Sequence, residues 1–290
     1  MKYEGDIIRP PSEANSLLLQ VTVGCSHNKC SFCPAYKKKK FRIKSYDEIL
    51  EDILEAGRWR SIDKVFLCDG DALIMPQERL VQILGLIRTH IKGVQRVGTY
   101  ANAKSILRKT VDELIHLREL GLGIVYLGIE TGSDELLKTI RKGVTAAQMI
   151  DAGRRVKEAG IKLSVTVILG LGGRRQNTEH VNDTASVLTD IDPEYASVLT
   201  LMLMPGTPLY SEYESGNFTL PDKFDLLREL AGIIEKSDFS GCYLTSNHAS
   251  NYLPIKARLP SEKEKTVITI YNMIRKNDVK SLRPEYMRGF

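Results

Sequence analysis

The stretch Leu17-Leu-Leu-Gln-Val-Thr-Val-Gly-Cys-Ser-His-Asn-Lys-Cys-Ser-Phe-Cys33 decides how the rest of the chain is read. Residues Leu17 to Val23 form a mostly apolar run of the kind that makes a buried strand. Cys25, Cys30 and Cys33 follow it with C-x4-C-x2-C spacing, on a loop at the strand's C-terminal end. Three thiolates crowded onto a short loop repel one another, and a soft metal centre is the usual reason to tolerate that. Three protein ligands also leave one coordination position open, as a catalytic centre needs. The spacing misses the four-cysteine ferredoxin runs and the paired C-x2-C arms of a structural zinc site. On this loop alone, a zinc site completed by His27 and three unrelated core cysteines stay open as alternatives.

Outward from the loop, short β-type runs alternate with amphipathic helical segments, which is the pattern of parallel βα units. The strand candidates are Leu17–Val23, Lys64–Cys68, Arg96–Tyr100, Ile124–Ile129, Lys162–Leu169 and Tyr195–Leu201. Capping boxes open helices at Ser45-x-x-Glu48, Thr110-x-x-Glu113 and Thr145-x-x-Gln148, with Gly121 and Gly160 closing the latter two. Further helices are expected over Asn177–Leu188 and Pro221–Ile234. Periodicity alone does not separate an open doubly wound sheet from an incomplete barrel. The last third differs in texture. Cys242–Pro260 is polar and turn-rich, and a final helix is expected after Ser261-x-x-Glu264.

Bulk properties set bounds. A chain of 290 residues holds one α/β barrel-type domain or two smaller ones. There is no long apolar run and no signal-peptide core, so a cytoplasmic location and no membrane partner are expected. Five cysteines, three of them clustered, argue against a secreted disulfide framework. The net charge of +5 permits an anionic ligand without requiring one. The basic run Lys37 to Lys40 with Arg42 reads either as a solvated loop or as a rim attracting such a ligand. Aromatic residues are not interleaved with it as a single-strand stacking platform requires.

The cysteine loop and the strand ends behind it together resemble the radical S-adenosylmethionine (SAM) superfamily. Within it, the resemblance is to the branch of the methylthiotransferases, the elongator catalytic subunit and the coproporphyrinogen dehydrogenases. The commonest family spacing is C-x3-C-x2-C with an aromatic or apolar residue before the last cysteine; Phe32 fills that place, and the extra residue in the first gap is a departure. Asp69-Gly70-Asp71 stands where the family has a Gly-Gly-Glu-like motif for SAM's amino group. Tyr126-Leu-Gly-Ile-Glu-Thr-Gly132 is similar to the segment whose glutamate contacts the ribose, which would give Glu130 that role. The adenine region G-x-I-x-G-x-x-E maps onto Thr166, Ile168, Gly170 and Gly173, so the apolar residue and second glycine match while the acid is missing. The Pro-Gly-Thr-Pro turn at Pro205–Pro208 is similar to one in the same branches and reads as structural.

The resemblance implies an α/β fold, a partial (β/α)6 TIM-like barrel over residues 17–210. Residues 1–16 would form an N-terminal extension. Residues 211–290 would supply a loop and helices packed on the barrel as part of the same domain. It implies a [4Fe–4S] cluster on Cys25, Cys30 and Cys33, and SAM held by Phe32, Asp69, Gly70, Asp71, Glu130, Ile168 and Gly170. It also implies reductive cleavage of SAM to a 5′-deoxyadenosyl radical that abstracts a substrate hydrogen, with an electron donor such as flavodoxin or ferredoxin. The substrate expected is a small molecule or a single modified residue, with RNA modification as the alternative. From another class, an iron–sulfur electron-transfer protein lacks a use for the Asp69–Asp71 and Glu130 segments. No cysteine-rich or cobalamin domain is expected in a chain of this length. Cys68 and Cys242 read first as core thiols, Cys242 and His248 being the candidates for a catalytic role. Ser246 to Tyr252 is the candidate substrate-side wall.

Overall fold

The computed structural model describes residues 1–59 and 62–289. In chain order it contains β1 (Leu17–Gln20), β2 (Thr22–Val23), β3 (Arg42–Ile43), α1 (Tyr46–Ala56), β4 (Lys64–Cys68), α2 (Gln77–His90), β5 (Arg96–Ala101), α3 (Ala103–Leu107), α4 (Val111–Glu119) and β6 (Leu122–Glu130). There follow α5 (Asp134–Thr139), α6 (Ala146–Glu158), β7 (Lys162–Leu169), α7 (Asn177–Ile191), β8 (Tyr195–Thr200), α8 (Pro208–Glu214), α9 (Lys223–Lys236), β9 (Cys242–Thr245), β10 (Lys256–Leu259) and α10 (Lys263–Arg275).

The expected capping boxes form. Ser45 and Glu48 bond reciprocally at the start of α1, as do Thr110 and Glu113 at α4. At α6 the Gln148 amide donates to Thr145 Oγ1 at 3.3 Å while Thr145 N–H donates to the Gln148 side chain at 3.0 Å. Each box satisfies amide donors that a helix start leaves without intrahelical partners. Gly121 and Gly160 take φ of +111° and +70°, a backbone region that other residues adopt only with strain.

The chain divides into two compact units. The first comprises Met1–Asn28, Ala35–Leu127 and Asp151–Leu163. Here β1, β4, β5 and β6 pair in parallel, with Leu17 opposite Val65, Val65 opposite Val97 and Gly98 opposite Ile124. Phe66, Tyr100 and Tyr126 meet edge to face, with ring centroids 5.0 to 6.0 Å apart. The segment before β1 joins this interior. Glu13 is fully buried, accepts the Tyr126 hydroxyl at 2.5 Å and is paired with Arg96.

The second unit comprises Lys29–Pro34, Gly128–Ile150 and Ser164–Phe290. In it β7 pairs in parallel with β8, from Ser164 opposite Tyr195 to Leu169 opposite Thr200, and β8 pairs in parallel with β9. A β9–β10 antiparallel pair follows, Cys242 opposite Leu259.

Three features depart from the sequence expectation. The single run Leu17–Val23 is two strands: Val21 N–H still bonds the Cys68 carbonyl at 2.8 Å, but Thr22 and Val23 then pair antiparallel with β3. The polar, turn-rich Cys242–Pro260 stretch contains β9 and β10, whose alternation of buried Cys242 and Leu244, then Ala257 and Leu259, is too short to stand out. Ser261 does not cap α10; its hydroxyl donates to the Arg258 carbonyl at 3.1 Å, and α10 starts after Glu262.

Candidate functional site

In the first unit the cysteine loop begins where β2 ends. Gly24 N–H donates to Asp69 Oδ2 at 3.0 Å, and Gly70 N–H returns to the Gly24 carbonyl at 3.1 Å. These two bonds splice the loop start to the strand end of β4. Asp69 is fully buried, and its Oδ2 also receives Gln20 Nε2 and Lys39 Nζ, each at 3.1 Å. A buried carboxylate needs such donors to offset its lost hydration. Lys39, in the middle of the basic run, is thereby turned inward; it also donates to the Asp6 carbonyl at 2.6 Å and lies 5.5 Å from the centre of the Tyr36 ring. Asp71 is equally buried and engaged: it accepts Asn102 Nδ2 and Ser105 Oγ at 2.6 Å, Asn102 N–H at 3.3 Å, and the Ser26 hydroxyl.

Gly70 is required by space. A Cβ there would sit 2.5 Å from Tyr36 Cε2 and 3.1 Å from Cys25 Cβ. The bare backbone of Gly70 is thus a floor beneath Cys25, with the buried Tyr36 ring as its wall. Burial pushes the Tyr36 phenol far up, with the nearby Asp69 charge adding to it, so the ring is neutral.

In the second unit Ser31 fixes the middle of the loop. Its N–H donates to the Ile140 carbonyl at 2.9 Å, and its carbonyl accepts Leu209 N–H at 3.0 Å. Leu209 follows the Pro-Gly-Thr-Pro turn, where Thr207 caps α8, so that turn has a positional role here. Phe32 packs on an apolar cluster of Ile140, Ile168, Leu171, Leu201 and Leu209. The two apolar residues expected near adenine, Phe32 and Ile168, therefore belong to one cluster. Glu130 ends β6 with φ +63° and pairs through Oε1 with Lys142 Nζ at 2.7 Å. A Cβ on Gly128 would collide with that Glu130 oxygen, which explains the glycine.

The polar stretch Ser246 to Tyr252 is largely committed to its own fold. Buried Ser250 accepts Thr200 N–H at 3.1 Å, and buried Asn251 accepts the Thr200 hydroxyl at 2.8 Å and donates to the Val198 carbonyl at 2.7 Å. His248 is half-buried, bonds Ser250 within the loop, and is held below the usual histidine range by burial and then by Arg283. Asn247 is exposed. Cys68 and Cys242 are buried, whereas Cys25, Cys30 and Cys33 are all partly exposed. Burial, and then Asp69, pushes the Cys68 thiol up, away from the thiolate a ligand or nucleophile needs.

Sequence reading overlooked Tyr36, Lys142, His180 and Glu229, and named Lys39 only as part of the basic run. Tyr36 and Lys39 carry no motif signal. A lysine twelve positions beyond a candidate acid, as Lys142 is beyond Glu130, is common in any chain, so only the folded contacts reveal it. Among the described residues no group of three His, Cys, Asp or Glu side chains is gathered as a metal site. The donor set nevertheless fits a cluster: three thiols on one short loop, all partly exposed, the first of them packed against the side-chain-free backbone of Gly70.

A model of the radical SAM superfamily matches residues 19–188, more than half of the chain, so the chain belongs to that superfamily. A [4Fe–4S] cluster and S-adenosylmethionine are the cofactors of this family. The chain is 28% identical over 201 residues to 4′-phospho-dehydrooxetanocin synthase of Priestia megaterium, covering 61% of this chain and 27% of that protein. It is 22% identical over 215 residues to the heme chaperone HemW of Bacillus subtilis, covering 73% and 56%. Among solved structures, the radical SAM methyltransferase TsrM of Kitasatospora setae, with cobalamin and a [4Fe–4S] cluster bound, is similar with a TM-score of 0.56 and 19% identity, over 71% of this chain and 41% of that one. This likeness shows the fold, the α/β TIM-like barrel of radical SAM enzymes. The chain spans between 27% and 56% of the length of these two relatives. Among the described residues no helix is long and apolar enough to cross a membrane.

Proposed function

We propose that this chain is a radical SAM enzyme whose cluster is held by Cys25, Cys30 and Cys33 and whose substrate is a small molecule or a single modified residue. The observation that carries this reading is that the three crowded loop thiols are all partly exposed, while the other two cysteines are buried. When bound, the cluster and SAM supply a 5′-deoxyadenosyl radical able to take a hydrogen atom from an unactivated carbon.

The chain's own residues orient and shield. Gly70 lets its backbone lie against Cys25 and Tyr36, and the Asp69–Asp71 turn receives the methionyl amino group. Both carboxylates are already bonded to protein donors. They therefore act by holding the turn rigid, with the negative field of the site favouring an ammonium. Glu130, steadied by Lys142, accepts the ribose hydroxyls. Phe32, Ile168 and the Gly170 backbone flank adenine and exclude water. An electron donor of the flavodoxin or ferredoxin kind completes the reaction, and a cytoplasmic setting suits such a donor and an oxygen-sensitive cluster.

The basic run lends RNA less support than its sequence suggests, because Lys39 is spent on Asp69 and Lys37 donates to the Asn28 carbonyl at 3.0 Å. The test is anaerobic reconstitution followed by dithionite and SAM. Wild-type protein should take up about four irons per chain, as a cubane requires, and release 5′-deoxyadenosine. Cys33→Ala should do neither. Stoichiometric zinc with no iron uptake, or a cluster with no SAM cleavage, sinks the proposal.

A further inference from the structure

Position 173, where the family pattern carries an acid after the second glycine, is glycine in this chain. A carboxylate nevertheless sits on the Gly170 backbone, and it comes from α9. Glu229 Oε1 accepts Gly170 N–H at 2.7 Å, and Oε2 accepts Asn177 Nδ2 at 2.7 Å. Glu229 is 1% exposed and is flanked on α9 by buried Leu226 and Leu230. His180 of α7, fully buried, places Nε2 2.9 Å from the same Oε1, off the line of a straight hydrogen bond and so as a close polar neighbour. On its other side His180 Nδ1 lies 2.7 Å from Thr131 Oγ1 and 3.3 Å from Thr184 Oγ1. Thr184 Oγ1 accepts Gly132 N–H at 2.9 Å, and Thr131 Oγ1 accepts Ser133 N–H at 3.1 Å. Polar contacts therefore run without a gap from the Gly170 strand end to Thr131, the residue after Glu130.

A buried carboxylate and a buried imidazole are expensive ways to tie two helices to a sheet, since apolar side chains do this without desolvation. What they add is direction. Glu130 ends β6 and Gly170 directly follows β7, both at positive φ, +63° and +85°. A non-glycine residue in that region is held there only when its surroundings over-determine it. The Thr131, Gly132 and Ser133 contacts fix the backbone immediately after Glu130, and Glu229 fixes the amide of Gly170.

We propose that Glu229 and His180 are positioning residues that set the Glu130 and Gly170 strand ends for the adenosine half of SAM. This rests on the SAM-binding reading given above. Gly132 is bound into the same device, because a Cβ there would collide with the Asp183 carbonyl of α7.

The test uses anaerobic, cluster-loaded full chain and reads equilibrium affinity for SAM and for 5′-deoxyadenosine, beside iron content and thermal melting. Glu229→Gln keeps an oxygen for Gly170 N–H and should bind both ligands within about threefold of wild type. Glu229→Leu removes every acceptor at similar volume and should weaken both by about tenfold or more, by matching factors, with iron content unchanged. His180→Phe removes the ring nitrogens and should fall between them; if Glu229→Leu does not fold, this variant decides. Wild-type affinity in folded Glu229→Leu or in His180→Phe, even with lowered melting, means a purely structural role and overturns the inference. Equal losses in Glu229→Gln and Glu229→Leu overturn it as well. Failure of the wild type itself to bind SAM removes the reading beneath it, an outcome visible before any variant is made.

Discussion

At the scale of single residues, the site is defined as much by what is absent as by what is present. Gly70 has no side chain, and the space it leaves is filled by the Tyr36 ring and Cys25 Cβ. Gly70→Ala forces one of them to move, and Tyr36 is packed at 7% exposure, so the cysteine loop is the part that yields. Overpacking of this kind costs about 1–3 kcal/mol, and here it should appear as lost iron on anaerobic reconstitution. Adding Tyr36→Leu to Gly70→Ala should recover part of the iron, because it removes the clashing edge. Full iron content in Gly70→Ala alone would contradict the floor beneath Cys25. The sequence displays the cysteines, Phe32, Gly70 and Glu130 because each has a motif spacing to betray it. It hides Tyr36, Lys39, Lys142 and Glu229 because their partners lie at positions that only folding brings near. Glu229 meets Gly170 from 59 residues away. Nor does sequence reveal that Asp69 and Asp71 are bonded on several sides, since a carboxylate in a turn looks the same whether it faces a ligand or its own chain.

At the scale of elements, local chemistry and tertiary packing agree over most of the chain, and stability should follow the local devices. The Thr110–Glu113 box closes the start of α4, and its Glu113 N–H to Thr110 Oγ1 bond is 3.1 Å long. Thr110→Ala removes that acceptor and should lower unfolding stability by about 1 kcal/mol in urea titration. Iron content and SAM affinity should stay at wild-type values, since no residue assigned to the site bonds to that box; a changed SAM affinity would show that α4 reaches it. The strands over Lys64–Cys68 and Lys162–Leu169 are legible to the residue because each is a near-continuous apolar run with polar flanks. β9 and β10 are not, because four-residue strands with alternate exposure offer only two buried side chains apiece. The capping signature at Ser261 misleads because a local turn takes over there: Glu262 N–H donates to the Arg258 carbonyl at 2.8 Å and its carboxylate accepts Arg258 N–H at 2.6 Å, so the helix begins one residue later.

At the scale of the whole molecule, the match to the family model ends at residue 188, and the C-terminal third lies beyond it. Its polar stretch is held down by two arginines. Arg283 Nη1 donates to the carbonyls of His248, Ala249 and Asn251, each at 2.8 Å. Arg288 donates through Nε to the Ser250 carbonyl at 2.7 Å and through Nη1 to the Tyr252 hydroxyl at 2.6 Å, while its guanidinium stacks 4.1 Å from the Tyr252 ring centre. Its side chain is 1% exposed. A planar, multiply bonded guanidinium has no substitute in an ammonium, which can neither fork to two acceptors in one plane nor stack in the same way. Arg288→Lys should therefore lower stability by about 2 kcal/mol and raise amide hydrogen exchange at Asn251 and the residues beside it. The Asn251 N–H bond to the His248 carbonyl, at 3.0 Å, is the reporter. Iron uptake and SAM affinity should be retained, because none of the residues assigned to cluster or cofactor takes a bond from Arg288. If exchange at Asn251 is unchanged, the stretch holds its shape without the tail. If exchange rises and SAM cleavage without added substrate rises with it, the stretch is the wall that shields the site, and its polar groups are structural first and protective through that structure.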